Sequence, residues 1–111
     1  MKQVERINEV IATYRRHDWQ LKRALLRPET RAEITEQESA LSDDLEIREA
    51  PFDALWFARP SHAGREAWEL RLVAETPYAL FETFEADEAE EDREEVRREM
   101  EARLNEYAAR F

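Results

Sequence analysis

Apolar residues in the first quarter of the chain recur at helical spacing. Val4, Ile7, Ile11, Tyr14, Leu21 and Leu25 fall on one side of a helix, because positions three, four and seven apart share a face. Asp18 takes the place where the stripe should continue, between His17 and Trp19, and neither Gly nor Pro interrupts the run before Pro28. The pattern predicts one helix over residues 2–26, bent near Asp18 and stopped by Pro28. Residues 29–43 are the least readable. Positions 31–36 fit an edge strand or a short helix led by Pro28, and the isolation of Ile34 on the helical face favours the strand. Ser42, Asp43 and Asp44 read as a turn, and Leu45 to Arg48 alternate as a half-buried strand.

Strand signals strengthen after that point. Residues 54–59 are apolar on both faces, which suits a central strand, and residues 60–65 hold the single Gly of the chain and read as a hairpin loop. Trp68, Leu70 and Leu72 alternate with Glu69 and Arg71, and residues 78–85 alternate again after Pro77. Matching apolar faces across a short loop at 75–77 sets Leu72 opposite Leu80 and Trp68 opposite Phe84. For the preceding hairpin two registers remain open: a six-residue loop pairs Phe57 with Trp68, and a five-residue loop pairs Trp56 with Leu70.

Residues 87–110 return to helical spacing. Asp87, Glu88, Glu90, Glu91 and Asp92 load the first turns, where the helix dipole favours negative charge. Val96, Met100, Leu104, Tyr107 and Phe111 form the apolar stripe. The element order predicts an α+β fold: an N-terminal helix, an antiparallel meander of four to five strands and a C-terminal helix, with the helices packed on one face of the sheet. Such a sheet keeps a second apolar face holding Trp56 and Phe81 in one register, to be met by a loop, a second protomer or a ligand.

Length and composition agree with a single domain over residues 1–111. Eleven aromatic residues (three Trp, three Tyr, five Phe) are too many for a disordered chain. The charged start without an apolar leader block, and the shortness of every apolar run, point to a cytoplasmic protein with no membrane contact.

Charge is uneven. The net charge is -10, yet residues 2–27 carry seven basic and three acidic side chains, a local +4, which leaves -14 for the remainder. A field this negative repels phosphate and argues against nucleic acid as a partner. Arg15, Arg16 and Arg23 beside Trp19 form a candidate interaction surface that meets acidic protein, and the acidic remainder can attract a basic partner.

Catalytic signals are thin. The chain has no Cys, hence no disulfide, thiolate zinc site or Cys nucleophile. One Gly cannot build a phosphate-binding loop, and the acidic run at 87–92 lacks the Gly and alternating oxygens of a calcium loop. Ser61 and His62 are sequence neighbours with no orienting carboxylate marked. No cofactor, metal or catalytic residue is assigned. The sequence favours a non-enzymatic protein-interaction or adaptor module, homodimeric through Trp56 and Phe81 or through the first helix. A small-molecule site lined by Trp56 and Trp68 is the alternative, followed by an enzyme using carboxylates. Self-repulsion among the acidic groups outweighs the ion pairs at low ionic strength, so added NaCl should raise the melting temperature, since screening reaches about 10 Å at 0.1 M; a thermal series in salt checks this, and a steady fall in melting would contradict it.

Overall fold

The computed structural model describes residues 2–36 and 45–110. The apolar stripe does open with a helix, α1 (Gln3–Arg16), but that helix ends ten residues before the expected limit at residue 26. Asp18 adopts a left-handed φ of 66°. The Trp19 amide then donates back to the Tyr14 carbonyl at 3.1 Å, and the Asp18 amide to Arg15 at 3.1 Å. The two bonds form a Schellman stop with Asp where Gly is usual, closed by the Tyr14–Trp19 ring contact at 6.0 Å. Asp tolerates this backbone better than most residues.

The residues expected to continue the helix instead form strand β1 (Gln20–Leu26). Leu21 and Leu25, four apart, end up on opposite faces of the sheet. The antiparallel ladder to the strand at residues 54–60 skips Lys22, a bulge between Leu21 and Arg23. Residues 28–36 form a helix, α2 (Pro28–Glu36), not a strand. Pro28 starts it, as suits a residue with no N–H to satisfy. Ile34 packs against the core, and buried Thr30 anchors the helix by a hydrogen bond. The expected turn at Ser42, Asp43 and Asp44 lies outside the described residues.

Further along the described residues come the strands β2 (Glu46–Glu49), β3 (Ala54–Pro60), β4 (Glu66–Leu72) and β5 (Tyr78–Phe84), then the helix α3 (Glu90–Ala108). The sheet order is β2-β1-β3-β4-β5, with β3 central as its two-sided apolarity predicts. The fold is α+β. It is not wholly an antiparallel meander, because β2 runs parallel to β1 beyond the α2 crossover.

The β3–β4 hairpin takes the five-residue loop, pairing Trp56 with Leu70. Its turn uses two consecutive left-handed residues, Ala63 (φ 57°) and Gly64 (φ 75°), and a Cβ at Gly64 would sit 3.1 Å from that of Ala86. The β4–β5 register slips two residues from the expected one: Leu70 faces Leu80, and Phe84 faces Glu66. Val73 is the cause. Its amide bonds to Asp53 and its carbonyl accepts from Gln3, so it extends the pairing with β3 and lengthens the turn.

The helices do not share one face. Ile7, Val10, Ile11 and Tyr14 of α1 pack with Leu55, Phe57 and Val73, while Met100 and Leu104 of α3 pack with Trp56, Leu70 and Phe84. Leu55, Trp56 and Phe57 are successive and all fully buried, which in a strand demands a layer on each side. Ile7→Ala and Leu104→Ala each remove a fully buried side chain from a different face, and each should cost about 2–5 kcal/mol by urea denaturation. A loss at only one of them would contradict the two-sided arrangement.

Candidate functional site

The side chains singled out from the sequence separate into an interior group and a surface group. Trp56 is fully buried under α3, and its indole N–H donates to Glu101 at 2.8 Å. It offers no exposed seam. Trp68 lies edge-on to Trp56 at 5.8 Å, and the buried Arg97 guanidinium covers its ring at 3.9 Å. The space an aromatic-lined ligand site would need beside Trp68 is filled by that guanidinium. Arg97 pairs with Glu90 at 2.5 Å and leaves its Nε without a hydrogen-bond partner among the described residues.

Arg23 is half-buried. Its guanidinium bridges Glu46 on β2 and Glu94 on α3, both at 2.7 Å, and it does not join Arg15 and Arg16 on a common basic face. The hydrogen bond from Arg23 holds the Glu94 carboxyl below the usual carboxylate range, against the opposing effect of burial. Arg15 and Arg16 are exposed at the end of α1.

Two other side chains do come together at the surface. Trp19 meets Phe81 edge-to-face at 6.4 Å, and the Arg59 guanidinium covers Trp19 at 4.5 Å. A hydrogen bond from Arg59 to the His17 carbonyl (3.0 Å) ties this stack to the Schellman stop. Trp19 thus supports Phe81 from below, while Phe81 remains 58% exposed, the one large apolar side chain so placed among the described residues. Beside it runs an open groove of about 370 Å3 lined by Asp18, Arg59, Pro60, Ser61, His62, Ala67 and Phe81. Asp18, Ser61 and His62 share this groove, but no hydrogen bond joins them, so the nucleophile–base contact that acyl transfer requires is missing. Among the described residues no group of three acidic or His side chains could hold a metal.

Phe81 stands on β5, an edge of the sheet. Bonds from Ser61 to Arg65 and from Val73 to Asp53 fix the phase of the β3–β4 ladder. In an antiparallel ladder the bonding direction alternates residue by residue, so residues 66, 68, 70 and 72 of β4 bond towards β5. Their partners are 84, 82, 80 and 78. The backbone groups of Ala79, Phe81 and Thr83 therefore point away from the sheet. Side chains shield part of this edge: Glu82 accepts from the Thr83 amide at 3.1 Å, and Glu88 from the Glu85 amide at 3.2 Å. The stretch at Ala79 and Phe81 has no such cover. Sequence alternation placed Ala79 and Phe81 on one face, but Arg59 was missed, since nothing local shows that the end of β3 lies against Trp19.

Tyr14 borders this region, stacked on Phe57 at 4.0 Å and donating its hydroxyl to the Glu69 carboxylate. Burial, reinforced by Glu69, pushes its pKa up from 10.0 to about 12. A pKa higher in the folded chain than in the unfolded one contributes stability that is whole below pH 10 and lost as pH rises towards 12. The urea midpoint should fall across that range, and Tyr14→Phe should flatten the fall; an unchanged slope would rule out this linkage. Comparison of the chain with protein-family models, curated proteins and solved structures returns no match.

Proposed function

We propose that this chain is a non-enzymatic protein-interaction module that docks an extended protein segment along the open edge of its sheet. The observation that carries the reading is Phe81. A large ring held half out of water by Trp19 and Arg59 adjoins outward-facing backbone groups, which is the pairing of anchor and hydrogen-bond template that strand addition uses. Natural edge strands are usually short, charged, bulged or covered. Seven-residue β5 carries one charge, Glu82, and no Pro within its span.

A cytoplasmic setting belongs to the same reading. It draws support from the lack of cysteine, and among the described residues no helix is long and apolar enough to cross a membrane. With a net charge of -10, a partner bearing basic side chains beside its docking strand would gain electrostatically.

A photo-reactive phenylalanine analogue in place of Phe81, with a control at exposed Glu95 on α3, tests the docking reading in the source cells. Irradiation should yield a covalent protein adduct larger than the 13.3 kDa chain from position 81 and none from position 95. Equal or absent adducts at the two positions would refute it.

A further inference from the structure

The β5 edge carries information about its own occupant. For two antiparallel copies of β5 to bond to each other, outward-facing residues must meet outward-facing residues. Residues 79, 81 and 83 must therefore pair among themselves, which restricts the possible registers to a few. With the twofold axis at Leu80, Pro77 would oppose Thr83 and deprive the seam of a donor, since Pro has no N–H. With the axis at Glu82, that carboxylate would oppose its own copy, and directly opposed like charges destabilise a sheet. With the axis at Phe81, all seven residues of β5 are paired. Phe81 then meets Phe81, Ala79 meets Thr83, Leu80 meets Glu82 and Tyr78 meets Phe84. This register opposes no two charges and puts no Pro in the seam.

We infer that the docked segment is β5 of a second copy of this chain, joined antiparallel about a twofold axis at Phe81 to make one continuous ten-stranded sheet. The inference rests on the docking reading above and adds the identity of the partner. A twofold axis lets one edge serve both copies and closes the assembly at two. Phe81 and its mate form the aromatic centre of the seam, and Trp19 of each copy supports them. The Glu82 side chain leaves the Thr83 amide, which then donates to Ala79 of the other copy. Both copies carry net charge -10, so repulsion opposes assembly and salt strengthens it, whereas a basic partner would be weakened by salt.

Light scattering at micromolar concentration should return twice the 13.3 kDa chain mass, moving further to the dimer as NaCl is added. Phe81→Glu should restore the single-chain mass with an unchanged circular dichroism spectrum. Because the chain has no Cys, single thiols report the register. Opposed residues of a bonded antiparallel pair lie about 5.5 Å apart at Cα, within reach of a disulfide. Ala79→Cys mixed with Thr83→Cys should cross-link on mild oxidation. Ala79→Cys alone should not, its thiols being offset by four residues, about 13 Å along the strand. A single-chain mass at every concentration and salt, or cross-linking as efficient for Ala79→Cys alone as for the mixture, would overturn the inference. In that event, an adduct of position 81 with a different protein would leave the docking reading standing, whereas equal or absent adducts at positions 81 and 95 would remove both.

Discussion

A single buried carboxylate joins the parts of this chain that are far apart in sequence. Asp53 is 2% exposed, and its two oxygens accept from Gln3 on α1, from the backbone and side chain of Arg27, and from Thr30 on α2. Its own carbonyl holds the Val73 amide beyond β4. A carboxylate out of water is costly unless its oxygens are satisfied and its charge is paired. Only one arrangement of α1, the β1–α2 junction and the start of β3 supplies these donors together. Asp53 thereby sets the angle at which the chain leaves β1, the start of α2 and the lengthened β4–β5 turn, all of which local pattern reading misplaced.

Opposite that anchor, α3 covers the other face with few apolar residues. Met100 and Leu104 are buried, and Arg97 fills the position where an aliphatic side chain would be ordinary. Its guanidinium lies over Trp68 and within 5.2 Å of Phe84, and Glu90 and Glu94 supply countercharge from the same helix. A helix as acidic as α3 can still seal an aromatic sheet face because its arginines act both as cations and as flat packing surfaces. Arg23 extends the same chain of charges through Glu94 to Glu46 on the far edge strand. With both faces covered in this way, the unpaired backbone of the sheet lies at its two edge strands, and β5 is the edge that carries the exposed Phe81.

Much of the architecture was legible where local pattern and tertiary environment agree. The apolar run of β3, the alternation of β4 and β5, and the stripe of α3 from Val96 to Tyr107 each match their burial in the structure, and Phe111 lies outside the described residues. The failures share a cause. The break at Asp18 is invisible to a reading that looks for Gly or Pro, because the left-handed position is taken by Asp and stabilised by Trp19 packing on Tyr14. Leu21 and Leu25 then imitate helical spacing. The sequence of α2 reads as a strand because its anchor is a hydroxyl bonded to a residue more than twenty positions later. Of the candidate surface residues, Phe81 is exposed and meets the buried Trp19, a contact that the sequence does not suggest, whereas Trp56 is fully buried and Arg23 half-buried.

The sequence alone determined the α+β class, the acidic character, the central position of β3, which strands join in the two hairpins and the exclusion of thiol chemistry. These follow from composition and short-range periodicity, which act within a few residues along the chain. The tertiary structure alone decided where α1 stops, that α2 is a helix, which face each helix covers, the register of β4 against β5 and that Arg59 and Trp19 hold Phe81 at an open edge. Each of these depends on a contact between residues distant in sequence: a buried carboxylate and its donors, a guanidinium over an indole, a backbone edge left without a neighbour. Such contacts exist only once the chain has folded, and no local pattern encodes them.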